Sequence, residues 1–329
     1  MRSFYCEALK RDVTKLGLGS WAIGGWLWGG SNDDQSVAAI EEALILGVNF
    51  IDTAPIYGFG KSERLIGCVL KNLGLRESIV LATKCGLEWN EKRTHIRRNS
   101  SPERIRKEID ESRYRLQTDY IDVYQIHWPD ERTPFWRSLE VLQKLQSQNI
   151  IYSIGLSNFS LKQLQECLRV IPIQFVQLPF NLYEREIEKE MLSFCKDNQI
   201  PVLGYGGLCR GLLTGKYSKY SVINSGDIRF YDPKFKSENI SNYVNANRAL
   251  LEVAKVLGIS LSDLALRWAA TQEGIGTMLV GVRSPEQAKE NFCTNLEPLQ
   301  KDVLKEIDQI LAISISHPIG AEFMAPSLS

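Results

Sequence analysis

"NFIDTAPIYGFGKSERLIG", residues 49–67, contains one complete unit of the fold. Asn49, Phe50 and Ile51 read as the buried end of a strand, and Asp52 places a carboxylate where that apolar run stops. Tyr57 follows in a loop flanked by Pro55 and Gly58, and helical periodicity takes over across 62–72. The unit is therefore strand, polar loop, helix.

The same unit recurs along the chain. Apolar runs of strand length lie at 15–20, 49–53, 79–84, 121–127, 152–158, 175–181, 201–206 and 277–282. Segments of helical period separate them at roughly 33–46, 62–72, 102–117, 136–148, 160–169, 185–198 and 244–258. Ser101-Pro102 and Ser284-Pro285 each set a capping hydroxyl before a proline at the first helical position. Gln287 then stands where a capping box needs it. Eight strands alternating with helices predict parallel strands joined by crossover helices, closed as a (β/α)8 TIM barrel. An open doubly wound sheet is the alternative, but "LGLGSWAIGG" (16–25) lacks the G-x-G-x-x-G turn of that fold. Residues 1–15 are expected to cap the barrel floor, and 210–240 form a long loop after strand seven. No linker interrupts the chain, so residues 1–329 are expected to be one domain.

Composition excludes several function classes. Of 329 residues, 39 are basic and 39 acidic, so the formal net charge of +0 gives no electrostatic footprint for nucleic acid. The N-terminus has no apolar core of a signal peptide and no run is long enough to span a bilayer. The seven cysteines are scattered with no CxxC, as expected for reduced thiols of a cytoplasmic protein. The three histidines show no metal-ligand spacing, so no metal is expected. A monomer is expected.

In such a barrel the chemistry sits at the C-terminal ends of the strands. Asp52 ends strand two with Tyr57 just beyond it, Lys84 ends strand three and His127 ends strand four. Singly, each has an ordinary structural explanation: a turn cap, a loop aromatic, a snorkelling lysine, a core histidine. Jointly they suit one task. The Lys84 ammonium favours the Tyr57 phenolate and lowers that pKa, Asp52 holds the lysine, and a neutral His127 donates to a carbonyl oxygen. A Schiff-base aldolase using Lys84 is a competing reading, opposed by Asp52, which keeps the lysine charged.

"DTAPIYG", "ATK", "QIHWPD" and "IGLSNFS" resemble, in order, the signature segments of the aldo-keto reductases. "YGGLCRGLLTGK", "DIRFYDPKF" and the tail "PIGAEFMAP" resemble a bacterial subgroup that includes a general stress protein. The resemblance implies a (β/α)8 barrel that binds NADPH without a Rossmann fold and reduces small carbonyl substrates to alcohols. Tyr57 would be the proton donor, tuned by Asp52 and Lys84, with His127 orienting the carbonyl. A regulatory barrel that binds NADP with little turnover is the alternative the same resemblance leaves.

Cofactor positions follow from the resemblance. Gly19, Ser20, Trp21 and Asp52 would face the cofactor from the first two strands. Ser157, Asn158 and Gln177 would bind the nicotinamide amide, and Tyr205 would stack on its ring. Gly206, Gly207, Leu208, Cys209, Arg210 and Lys216 would wrap the pyrophosphate, with Asp227 and Arg229 folding over it as a clasp. After strand eight the lysine-serine pair and the later arginine of many family members are missing: Gly281, Val282 and Gln287 occupy those positions. Arg283 and Ser284 remain as candidates for the 2′-phosphate, and Asn291 completes the set. NADP is expected over NAD. Trp21, Tyr57, Trp89 and Trp128 are expected to wall the substrate pocket, with Trp26 or Trp28 nearby. In the tail 316–329, Phe323 and Met324 are expected to lie over the site as a partial lid, with a tail packed elsewhere on the barrel wall as the alternative.

Overall fold

The computed structural model describes residues 2–327; Met1 and the last two residues of the tail lie outside the described residues. Twelve strands follow in chain order. β1 (Ser3–Cys6) and β2 (Arg11–Thr14) make an antiparallel hairpin. Then come β3 (Leu16–Gly19), β4 (Phe50–Asp52) and β5 (Val80–Cys85). A second antiparallel hairpin, β6 (Leu87–Trp89) with β7 (Ile96–Arg98), interrupts the series. β8 (Ile121–Ile126), β9 (Ile151–Ser157), β10 (Phe175–Pro179), β11 (Val202–Tyr205) and β12 (Ile275–Gly281) complete it. Setting the two hairpins aside, the other eight strands close into an all-parallel barrel in the order expected from the sequence.

The eleven α-helices are α1 (Trp21–Gly24), α2 (Asp33–Ile45), α3 (Lys61–Leu73), α4 (Pro102–Leu116), α5 (Phe135–Ser147), α6 (Leu161–Leu168), α7 (Met191–Asp197), α8 (Ile240–Val256), α9 (Leu261–Ala270), α10 (Pro285–Phe292) and α11 (Lys301–Ser314). The capping residues act as their types require. Ser101 accepts the Arg104 N–H at the start of α4, and Ser284 accepts the Gln287 N–H at the start of α10.

Two apolar layers hold the barrel. Leu18, Leu81 and Leu156 belong to the layer between sheet and helices. Phe50, Val80, Val123, Phe175 and Leu203 belong to an inner cluster that Cys6, Val13 and the hairpin's Phe4 join. The N-terminal hairpin thus plugs the floor, as residues 1–15 were expected to do. With one end filled, the open end is the strands' C-terminal mouth.

Three elements depart from the expected pattern. α9 was not among the expected helices; it is nearly all apolar on its buried side, and its capping box of Ser260 and Asp263 was its signal. The helix expected over 185–198 is split into a short 3-10 turn, Glu186–Glu188, and α7. The β6–β7 hairpin, too short for a periodicity argument, rises over the mouth.

Candidate active site

Register sets the site. Asp52 pairs with Gly19 and Ala82, Lys84 pairs with Gln125, and Gln125 pairs with Gly155. Lys84 is wholly buried. Its ammonium donates to Asp52 Oδ2 at 2.6 Å and to the Thr53 carbonyl at 2.9 Å, and lies 3.4 Å from Tyr57 Oη. The Tyr57 and His127 rings meet edge to face at 5.9 Å. Gly24 of α1 and Gly58 touch backbone to backbone there. A Cβ on Gly24 would fall 2.4 Å from the Tyr57 carbonyl carbon, so this contact fixes the loop that presents the phenol. The four strand-end groups therefore converge, with Lys84 beneath the pocket floor rather than in its lining.

One electrostatic expectation is reversed. Tyr57 is held well above the ordinary phenol value, first by burial and then by the Asp52 and Tyr205 charges. Burial pulls the Lys84 ammonium down while Asp52 pulls it up. Because Asp52 offsets much of the lysine charge at 2.6 Å, the pair does not outweigh burial, and the resting phenol is not drawn toward the phenolate as expected from the sequence. The phenol is kept protonated, the state an acid needs. Burial and the Lys84 charge push the His127 imidazole well below its ordinary value, so it is neutral.

The mouth opens on a cavity of about 730 Å³. At its catalytic end Trp21 stacks on Tyr57 at 6.0 Å and meets Trp28 edge-on at 5.6 Å. Trp128, Leu87 and Ile96 add to the apolar wall. Trp89 does not line it: the indole packs against Phe59 and the Arg104 guanidinium, beside the Leu87 and Ile96 that do. Deeper in, Asn158 is tied to its surroundings. Tyr205 Oη donates to Asn158 Oδ1 at 2.8 Å, and Asn158 Nδ2 donates to the His127 carbonyl and to Ser157 Oγ, each at 3.0 Å. Gln177, expected on the nicotinamide, donates from Nε2 to Asp52 Oδ1 at 2.8 Å.

At the far end Lys216, Arg229 and Arg283 line the same cavity. Desolvation and the like charges of Arg229 and Arg283 lower the Lys216 pKa. Its ammonium has no hydrogen-bond or ion-pair partner among the described residues. Lys216 and Arg283, neither in an ion pair among the described residues, fit a phosphate-bearing cofactor, while Arg229 is paired with Asp227. The long loop closes over this end: the Ile228 N–H donates to the Leu27 carbonyl at 2.7 Å, and Asp227 bridges to Trp28. Arg229 Nε donates to Asp227 Oδ1 at 2.7 Å, and its guanidinium stacks over Trp28.

Four expected cofactor residues are placed differently. Cys209, Val282 and Ser284 do not line the cavity. The first two are buried in the core, and Ser284 is spent on its helix cap. Arg210 lines it, but its charge is taken by Glu184 and Asp232, the latter at 2.7 Å. Lys234 joins the same buried cluster, 2.9 Å from Glu184 Oε1, and donates to the Gly320 carbonyl at 2.7 Å. Gln287 keeps a cavity position while its Oε1 accepts the Arg283 N–H. The tail crosses the mouth. Phe323 packs over the Arg210 guanidinium, while Met324 and Pro326 line the cavity. Arg98 Nε of β7 donates to the Pro326 carbonyl at 3.1 Å.

The sequence profile of the Aldo/keto reductase family matches residues 15–312. The chain belongs to the aldo-keto reductase family. It is 42% identical to the aldo-keto reductase YhdN of Bacillus subtilis (strain 168), over 96% of this chain and 95% of that protein. It is 35% identical to an NADH-specific methylglyoxal reductase of Escherichia coli (strain K12), over 91% of this chain and 97% of that one. A solved glycerol dehydrogenase from Gluconobacter oxydans superposes with a TM-score of 0.89 at 40% identity, covering 98% of this chain and 99% of that one. The barrel and the order of its strands are therefore those of the family. Among the described residues no helix is long and apolar enough to cross a membrane, and no group of side chains could hold a metal ion.

Proposed function

We propose that this chain reduces aldehydes and ketones to alcohols with NADPH, using Tyr57 as the general acid. The observation that carries the reading is the contact of Tyr57 with the buried Lys84–Asp52 pair at the floor of a cavity whose other end is cationic. Bound there, the nicotinamide supplies the hydride that reduces the carbonyl carbon. Neutral His127 donates a hydrogen bond to the carbonyl oxygen and fixes its position. As charge develops on that oxygen, Tyr57 Oη gives up its proton to it, and Lys84 at 3.4 Å stabilises the phenolate left behind. The resting phenol and the reacting phenol thus see different fields: burial keeps the proton on until the oxyanion forms. In this reading Ser157 and Asn158 would orient the carboxamide, and Tyr205 would support one face of the ring.

Lys216 and Arg283 favour NADPH: neither is in an ion pair among the described residues, whereas Arg229 is held by Asp227. The name of the E. coli relative points to NADH for that protein, so cofactor choice rests here on the cations. The aromatic wall suits flat or apolar carbonyls. The test is oxidation of NADPH and of NADH against a panel of aldehydes and ketones, with Tyr57→Phe beside wild type. Turnover that vanishes in Tyr57→Phe while NADPH still binds supports the reading. A Tyr57→Phe enzyme near wild type overturns the acid assignment, and NADPH binding without turnover on any carbonyl favours the regulatory barrel.

A further inference from the structure

Gln125 is wholly buried, and it stands beside Lys84 in the barrel ladder. Its Nε2 donates to Asp52 Oδ1 at 3.2 Å, and Gln177 Nε2 donates to the same oxygen at 2.8 Å. Lys84 takes the other oxygen. Asp52 is therefore gripped by three donors from three strands, which is the environment of an ionised carboxylate. The Gln125 Oε1 has no partner. A buried amide that leaves its acceptor unsatisfied in order to aim its donor at a carboxylate is oriented by that carboxylate: turned over, Oε1 would face Asp52 and both would repel. Room for the amide comes from Gly155, its ladder neighbour. A Cβ there would fall 2.7 Å from Gln125 Cγ and force the side chain to shift.

We infer that Gln125 is a positioning residue for the reaction: with Gln177 it clamps Asp52 Oδ1, so that Oδ2 alone faces Lys84 and the ammonium is left within reach of Tyr57. The inference rests on the reading of Tyr57 as the acid. Without the Gln125 donor, Asp52 Oδ1 is held by Gln177 alone, so the carboxylate is less firmly fixed and its charge less dispersed. Lys84 is drawn toward it and away from the phenol, so transfer of the Tyr57 proton slows. Gln125 touches neither cofactor nor carbonyl in this arrangement, so binding is spared.

The experiment compares Gln125→Met, which keeps the volume and loses the donor, with Gln125→Glu, which can donate only while its carboxyl is protonated. Loss of one hydrogen bond to a charged group corresponds to about a tenfold fall in kcat for Gln125→Met, with KM and NADPH affinity nearly unchanged. At pH 5.5 Gln125→Glu should be faster than Gln125→Met, and that advantage should shrink by pH 8.5 as the new carboxyl ionises. A purely structural role gives no such pH-dependent rescue. Gly155→Ala, which displaces the amide without removing it, should lower kcat in the same way. Gln125→Met at wild-type kcat, or the two Gln125 variants indistinguishable at pH 5.5, overturns the inference. If Gln125→Met does not fold, wild-type kcat in Gly155→Ala overturns it. Tyr57→Phe measured alongside separates the two claims: its retained turnover sinks the acid reading, whereas a dead Tyr57→Phe beside an unaffected Gln125→Met sinks only the clamp.

Discussion

Lys84 Nζ lies 2.6 Å from Asp52 Oδ2, and both side chains are almost entirely shielded from water. Breaking such a pair by removing one partner leaves a buried charge uncompensated, at about 3–5 kcal/mol. Lys84→Met should therefore lose both turnover and thermal stability. Adding Asp52→Asn should recover part of the melting temperature, because the stranded charge is gone, yet leave turnover lost. Thermal denaturation and NADPH oxidation on the two variants check this. Recovery of activity in the double variant would show that the pair serves only the fold.

The second prediction concerns Arg283, whose guanidinium faces the cavity while Nη2 donates to the Gly30 carbonyl at 2.7 Å. Arg283→Ala should weaken NADPH far more than NADH, since only NADPH carries the extra phosphate. A charge-assisted contact of about 1.5–3 kcal/mol corresponds to roughly a ten- to hundred-fold loss. Equal losses for both cofactors, measured by fluorescence titration, would mean that Arg283 acts by bracing the turn at Gly30.

How far the sequence reached is visible in these residues. Asp52, Lys84 and His127 were legible because a parallel barrel sends strand ends to one mouth, so position follows from strand assignment alone. Arg210 was misread because its partners lie 26 and 22 residues away, on another loop and on the far side of the insertion. A lone arginine beside glycines looks like a phosphate ligand until Glu184 and Asp232 are seen to claim it. Trp89 was expected in the pocket because its contacts with Phe59 and Arg104 come from distant parts of the chain and leave no local signal. The Tyr57 shift had the wrong sign because adjacency of charges was legible while the desolvation of the phenol was not.

The third prediction uses the buried cluster of Arg210, Lys234, Glu184 and Asp232. Burial opposes ionisation of Glu184, but Arg210 and Lys234 hold its carboxyl down to about 2. The folded-state value lies below the unfolded one, near 4.5, so between them the unfolded chain binds more protons. The contribution is complete above about 4.5 and is lost as pH falls toward 2. Glu184→Gln should be less stable than wild type at neutral pH, with a flatter decline over that acid window. Melting temperatures taken from pH 7 down to the acid limit check it, and parallel wild-type and variant curves would remove Glu184 from the account.

The last prediction concerns the tail. Its first part is anchored to the barrel wall: the Ile319 N–H donates to Tyr243 Oη at 3.3 Å, and the Gly320 carbonyl accepts from Lys234. Its second part reaches the cavity through Met324 and Pro326 and ends against Arg98, whose N–H donates to the Ser327 carbonyl at 3.2 Å. Cutting after Ser316 would remove both parts and confuse folding with function. Cutting after Glu322 leaves the anchors in place and removes Phe323, Met324 and Pro326. The melting temperature should then fall modestly, since Phe323 gives up two cation–π contacts, with Arg210 and Lys234, of about 0.5–2 kcal/mol each. KM for apolar carbonyls should rise several-fold, because part of the apolar wall is gone, while NADPH affinity changes less. Arg98→Ala, which removes the side-chain bond to the Pro326 carbonyl while keeping the backbone bond to Ser327, should move KM in the same direction and less far. Unchanged KM in both variants would reject the lid and leave the tail as a brace for the cluster around Lys234.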